Sequence, residues 1–252
     1  MNHARKRMLP IRFINLDRDA QRCAGMLAQG QAQGLTLERH PGVLWTALPA
    51  TEQDRHYDAA LNQRQFHRPL VNGEKGCYAS HISCWQWLLD SPHPALIVLE
   101  DDVRLGPQFK AAITAIEALK RPWDHIKLIG RQAVGKSEKL AGSQALTEGL
   151  RLARYRRIPS FTAGYAVSRQ GATKLLASRL PFGRPVDDDL RHWWECQRLE
   201  VLGVQPDVLS LDESSLQSSI EPKGDARSLG LRLRKAGYKL NYNLANSWHR
   251  LR

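Results

Sequence analysis

Ala95-Leu96-Ile97-Val98-Leu99-Glu100-Asp101-Asp102 is the stretch on which the fold turns. Five apolar residues follow one another without a polar break, two of them β-branched. Such a run, unlike an alternating one, belongs to a strand covered on both faces, as in parallel sheets flanked by helices. It ends on three adjacent acids. In open α/β sheets ligands bind at the carboxyl ends of the strands. Three neighbouring carboxylates repel one another there unless a cation or basic groups neutralise them, and hard divalent cations take such oxygen ligands and share them with phosphates. The residues alone leave two readings open: a metal–diphosphate site, or an acidic turn that breaks the strand and faces water.

Outward from this strand the chain alternates strands with amphipathic helices. Towards the N-terminus, Ile11 to Leu16 reads as a first strand, followed by a helix through Arg22, Met26 and Leu27 that stops near Gly30 or Gly34. Leu35 to Trp45 can carry a second strand, and Pro49 to Val71 reads as loop with a short helix. Asn72-Gly73-Glu74-Lys75-Gly76 has turn composition. Tyr78, Ile82, Trp85 and Leu89 then fall on one helical face. Towards the C-terminus, Phe109–Leu119 is helical by period, and His125–Gly130 and Phe161–Val167 read as strands. Ser168 suits the N-cap of a helix through Ala172, Leu175 and Leu176. A further helix is expected from Leu190, Trp193 and Trp194. Residues 131–157 are basic and glycine-spotted and give no clear element. The alternation predicts an α/β fold with a mainly parallel central sheet flanked by helices.

Four further features carry candidate chemistry. Asp187-Asp188-Asp189 follows Pro185-Val186. One of these carboxylates can serve as a general base for a hydroxyl, and Asp is equally favoured in the first turn of a helix. Asn15, Leu16, Asp17 and Arg18, with Arg22, stand at the end of the first strand, where they can hold a nucleotide or form a cap with solvated arginines. Gly73 to His81 is no Walker A loop, yet its glycines allow close backbone approach, and Ser80 and His81 are polar on an apolar helix. Lys127, inside a short strand, either reaches a phosphate or snorkels to solvent.

The chain has 252 residues, a formal net charge of +12, 42% hydrophobic and 25% charged residues. That is globular composition with an anionic partner expected. The four cysteines, Cys23, Cys77, Cys84 and Cys196, form no CxxC pair, which argues against a structural zinc site or a disulfide scaffold. No apolar stretch is long enough to span a bilayer, and the basic start, residues 1–7, lacks the apolar region of a signal peptide. The last thirty residues are strongly basic and carry Tyr238, Tyr242 and Trp248, a pattern suited to an anionic lipid surface or to a solvated tail.

Taken in order, these pieces resemble glycosyltransferase family 25, the bacterial lipooligosaccharide galactosyltransferase-like proteins. The matching segments are Ile14–Arg18 with Arg22, Gly73–His81, Leu99–Asp102, Ile126–Leu128, Thr162–Tyr165 leading to Gly171–Leu176, Pro185–Asp188, and Ser218-Ser219-Ile220. Lys75 stands where the family pattern is apolar, and residues 131–157 match none of its pieces. The resemblance implies a GT-A, Rossmann-like fold over residues 8–222 followed by a basic C-terminal segment, 223–252. It implies a UDP-hexose donor and a divalent cation, Mn2+ or alternatively Mg2+, on Glu100 and Asp102. The donor-binding residues it implies are Asn15, Leu16, Asp17, Arg18, Arg22, Glu74, Ser80, His81, Asp101 and Lys127. Transfer would invert the anomeric centre, with Asp187 or Asp188 as base, onto a lipooligosaccharide or other glycan at the cytoplasmic membrane face. Two rivals remain. One is a family member whose site has decayed into a binding module. The other is a nucleic-acid-binding protein, disfavoured because no nucleic-acid signature accompanies the charge. The expectation is therefore no nucleic-acid partner, and the oligomeric state is left open.

Overall fold

The computed structural model describes residues 9–131, 135–212 and 229–251. Residues 1–7 and the family-like Ser218-Ser219-Ile220 lie outside the described residues. The elements in chain order are β1 (Ile11–Asn15), α1 (Ala20–Ala32), β2 (Leu37–Pro41), α2 (Ala50–His56), α3 (Ala59–Gln65), α4 (Asn72–Asp90), β3 (Ala95–Glu100), β4 (Val103–Leu105), α5 (Phe109–Glu117), β5 (His125–Lys127), β6 (Leu140–Thr147), β7 (Leu150–Tyr155), β8 (Gly164–Ser168), α6 (Arg169–Ser178), α7 (Val186–Asp189), β9 (Val201–Gln205), β10 (Leu209–Leu211) and α8 (Leu229–Leu251).

Eight strands form one sheet in the order β2-β1-β3-β8-β5-β9-β7-β6, and β4 and β10 form a separate antiparallel pair. In the large sheet β1 runs parallel to β2 and β3, and β5 parallel to β9. The strands β8 and β7 run against their neighbours, so six of the eight strands share one direction. The sheet is mostly parallel, as its α/β pattern predicts.

The apolar run of β3 explains its central place. Ala95, Ile97 and Leu99 enter a core with Phe13, Met26, Phe109 and Ile113, while Leu96 and Val98 enter a second core with Ile82, Trp85, Tyr165 and Leu175. Successive strand side chains point to opposite faces, so each face of the sheet has its own helical cover: α1 and α5 on one, α4 and α6 on the other. Ser168 caps α6, its hydroxyl accepting the Gly171 amide at 3.0 Å.

Several local expectations change. Asn72–Gly76 is the first turn of α4, not a free turn. The Glu74 carboxylate accepts the Val71 amide at 3.0 Å, the back-bond that starts a helix. Leu190 to Trp194 form no further helix. A 3-10 turn at Trp193–Glu195 follows α7, and positive φ at Gln197 and Arg198 turns the chain back. The second strand is confined to β2, with a 3-10 turn at Trp45–Ala47 after it. Within the unassigned basic stretch, β6 and β7 form a hairpin, joined by Glu148-Gly149 with Gly149 at φ 71°.

The helix α8 has no acidic residue and five Lys/Arg. Tyr238, Tyr242 and Asn246, spaced by four, face the domain. Tyr238 donates to Asp188 at 2.6 Å, the Arg191 guanidinium lies 4.2 Å from the Tyr242 ring centroid, and the Asn246 amide donates to the Arg156 carbonyl at 3.1 Å. Leu233, Leu240, Leu244 and Leu251, at intervals of seven, four and seven, form one stripe on the opposite face. All four are exposed, Leu240 at 59% and Leu244 at 60%. Among the described residues no helix is long and apolar enough to cross a membrane.

Candidate active site

The parallel pairing of β1 with β3 sets Ile14 beside Glu100. The carboxyl ends of both strands therefore open on the same edge, and a cavity of about 460 Å³ lies there, within the range of small-molecule sites. Its wall contains Asn15, Leu16, Arg18, Arg22, Ser80, His81, Glu100, Asp101 and Asp102. A second cavity of about 320 Å³ adjoins it and is lined by Glu74, Thr162, Ala163, Pro185 and Asp187. The two share Cys77, Glu100 and Asp102, so the acids at the end of β3 stand between them.

The three acids of the strand end differ sharply in their partners. Asp101 is tied down: the Asn15 amide donates to it at 2.7 Å and Arg22 at 3.2 Å. Glu100 faces His81 at 3.5 Å. The buried Oδ1 of Asp102 has no hydrogen-bond partner. Burial, and then the charges of Glu100 and Asp101, push the Asp102 carboxyl up to about 7. An orphaned buried carboxylate oxygen beside a second carboxylate is a hard, anionic donor set, which fits a Mn2+- or Mg2+-class ion.

The Asp187–Asp189 run sorts in the same way. Asp189 is a buried anchor, paired with Arg184 at 3.0 Å and Arg179 at 3.3 Å and accepting the Tyr78 hydroxyl at 2.7 Å. Asp188 is held by Arg191 at 2.7 Å and Tyr238 at 2.6 Å. The Asp187 carboxylate has no hydrogen bond or ion pair among the described residues and lines the second cavity. Burial and the neighbouring Asp188 raise it to about 7, against the pull of Lys127 and Arg191.

Asp17, Glu74 and Lys127 of the expected donor set stand outside the larger cavity. Asp17 is exposed and pairs with Arg39. Glu74 binds Arg68 through both oxygens, at 2.6 and 2.8 Å, and meets the second cavity, not the first. Lys127 is buried, donates to the Phe161 carbonyl, and lines neither cavity. Burial lowers its ammonium to about 8. Ser80 accepts the Val43 amide at 2.8 Å and donates to the Gly76 carbonyl at 2.7 Å, so it pins the loop after β2 to α4. Gly76 permits this approach: a Cβ there would lie 2.6 Å from the Val43 carbonyl oxygen. Lys75 lays its charge on aromatic faces, 4.2 Å from the Tyr57 centroid and 5.5 Å from that of Trp45, which accommodates a cation where the family pattern is apolar.

Sequence reasoning missed the loop Gly42–Thr46, which lines the larger cavity, and the braces Arg191 and Tyr238. Nothing local signals Tyr238, which lies fifty positions from Asp188.

A mostly parallel sheet covered on both faces, with a carboxylate-lined cleft at its strand ends, is the layout of a GT-A-like glycosyltransferase fold. The chain belongs to glycosyltransferase family 25: the family model, described as glycosyltransferase family 25 (LPS biosynthesis protein), matches residues 8–190. It is 31% identical over 192 residues to an Anopheles gambiae glycosyltransferase 25 family member, covering 71% of this chain and 31% of that protein. It is 37% identical over 159 residues to a Homo sapiens protein named procollagen galactosyltransferase 2, covering 55% and 24% respectively. A Bos taurus relative named probable inactive glycosyltransferase 25 family member 3 is 39% identical over 129 residues, covering 49% and 20%. The matches thus span less than a third of the length of these relatives.

Proposed function

We propose that this protein is a metal-dependent inverting glycosyltransferase that moves a hexose, galactose or glucose, from a UDP-sugar to a hydroxyl of a lipooligosaccharide, lipopolysaccharide or other glycan. The observation that carries the reading is the meeting of two cavities at Glu100 and Asp102, with the unpaired Asp187 on the far side. The larger cavity takes the nucleotide diphosphate and the smaller takes the acceptor. Glu100 and Asp102 hold the divalent cation, Mn2+ or Mg2+, which when bound offsets the charge of the departing diphosphate. Arg18 and Arg22 on the same wall add positive charge for the phosphates. Asp101, fixed by Asn15 and Arg22, keeps the strand end in place.

Inversion needs one displacement. The acceptor oxygen forms a bond to the anomeric carbon, the bond to the diphosphate oxygen breaks, and the electron pair leaves with UDP. The acceptor proton passes to the Asp187 carboxylate, whose raised pKa near neutrality suits a general base. Asp188, engaged by Arg191 and Tyr238, positions its neighbour. The segment 223–252 brings the catalytic domain, 8–222, to the cytoplasmic face of an anionic membrane. The leucine stripe of α8 enters the headgroup boundary and the flanking Arg232, Arg234, Lys239 and Arg250 meet the lipid charge.

Calorimetric titration of UDP with Mn2+ and then with EDTA tests the donor site. The expected result is binding that requires the metal. Absence of UDP binding by folded protein, with and without metal, would overturn the UDP-sugar reading and favour a family member that binds without transferring.

A further inference from the structure

The wall between the cavities carries a second donor set of different chemistry. Cys77 and His81 are four residues apart on α4, one turn of helix, so they share a face. That face meets Glu100 at the end of β3. One ligand atom from each residue, Cys77 Sγ, a His81 ring nitrogen and a Glu100 carboxylate oxygen, lie within 4.8 Å of one another. In a tetrahedral site with bonds of about 2.0–2.3 Å such atoms stand roughly 3.3–3.8 Å apart, so closure asks for a movement of about 1 Å.

The independent sign is His81 itself. The side chain is fully buried, at 0% exposure, and its Nε2 has no hydrogen-bond partner among the described residues. The nearest acceptor, Glu100 Oε1, is 3.5 Å away, beyond good hydrogen-bond range. On the other side of the ring Nδ1 lies 2.9 Å from the Tyr165 hydroxyl, which also accepts the Trp85 indole N–H at 2.9 Å. In either direction this bond fixes the ring orientation, and in the tautomer whose Nδ1–H donates to Tyr165 the Nε2 lone pair is bare; that is the tautomer a metal at Nε2 selects. A metal-bound imidazole is held in the same manner by the partner of its other nitrogen.

We propose that Cys77, His81 and Glu100 form a binding site for a thiophilic divalent cation of the zinc class, with its fourth position open to the cavities. Thiolate, imidazole and a single carboxylate select zinc-like ions, whereas Mn2+ and Mg2+ favour oxygen donors. The site is distinct from the oxygen pair Glu100–Asp102 and does not depend on sugar transfer. The two sets share Glu100, so an ion held by Cys77 and His81 draws that carboxylate away from the pair that serves the diphosphate.

Cobalt titration of the full chain, with a non-thiol reductant, tests the site by the thiolate-to-cobalt charge-transfer band. The expected result is one equivalent of Co2+ with that band, bleached by Zn2+ and not by equimolar Mn2+. Cys77→Ser is expected to lose the band. His81→Gln should weaken cobalt binding by roughly 100-fold or more. Asp102→Asn, which disables the oxygen pair, should keep the band, which separates this site from the transfer reading. No band in the wild type, a band that survives Cys77→Ser, or one lost in Asp102→Asn would overturn the assignment. Should Cys77→Ser fail to fold, X-ray absorption of the zinc-loaded wild type decides: a shell with one sulfur and one imidazole supports the site, and a shell of oxygen alone refutes it.

Discussion

The two acidic runs, Glu100–Asp102 after β3 and Asp187–Asp189 in α7, look alike as text but divide their labour residue by residue. In each, some carboxylates are fully engaged: Asp101 by Asn15 and Arg22, Asp189 by Arg179, Arg184 and Tyr78. In each, one is left without a hydrogen-bond partner among the described residues at a cavity wall: Asp102 with its buried Oδ1 alone, and Asp187. A satisfied carboxylate stabilises structure. An unsatisfied one is a cost that folding bears, and such costs concentrate at functional sites.

The contrast is open to attack at each member. The largest effect is expected at Asp189. Asp189→Ala leaves the buried Arg179 and Arg184 with Glu195 as their remaining carboxylate and takes the acceptor from the Tyr78 hydroxyl; it should cost about 3 kcal/mol, a large part of a typical 5–15 kcal/mol stability, and urea denaturation reads it. Asp102→Ala should instead raise the urea midpoint at neutral pH, because it removes a carboxyl that burial and its acidic neighbours push up to about 7, and should lower transfer by on the order of 10³-fold, the worth of several kcal/mol of charge stabilisation. Undiminished turnover would remove Asp102 from the site.

Asp187→Asn should reduce transfer by about 10²-fold and make the protein more stable at neutral pH. The sign follows from its raised folded pKa of about 7 against an ordinary 3.8. Such a carboxyl destabilises the fold increasingly as pH rises between those values, and below the lower one the gain from the substitution should vanish. Denaturation midpoints at several pH values check this. In the wild type, transfer should fall as pH drops below about 7, where Asp187 takes up its proton. A smaller change, of about 1 kcal/mol, is expected for Tyr238→Phe, which loosens Asp188 alone and should lower kcat more than it raises KM for the donor. Leu240→Gln with Leu244→Gln should leave transfer to a soluble acceptor untouched and weaken sedimentation with anionic vesicles. Unchanged vesicle binding would mark the stripe as a face for something other than lipid.

Much of the frame was legible because it is written in short-range pattern. The unbroken run Ala95–Leu99 is buried on both faces, and the period of Phe109, Ile113 and Ile116 places α5 on one of them. The edge that carries the cavity followed from where the strand stops. The hairpin β6–β7 was missed because β6 is an exposed edge strand with no apolar alternation, and only Glu148-Gly149 marks its turn. The sorting of the aspartates was illegible for a different reason. Asp189 owes its role to Arg179, Arg184 and Tyr78, the last 111 positions away, and no spacing rule reaches that far. Lys127, whose burial beneath Phe161 removes it from both cavities, shows the same limit.

The helix α8 touches the Asp188 carboxylate with Tyr238 on one face and offers a leucine stripe to its surroundings on the other. Any ligand of the leucine face that favours the docked helix also favours the braced Asp188. By reciprocity, whatever orders the Asp188 corner must strengthen binding at that outer face by the same factor. A single hydroxyl thereby makes the state of Asp188 and the occupancy of the outer leucine face two readings of one equilibrium.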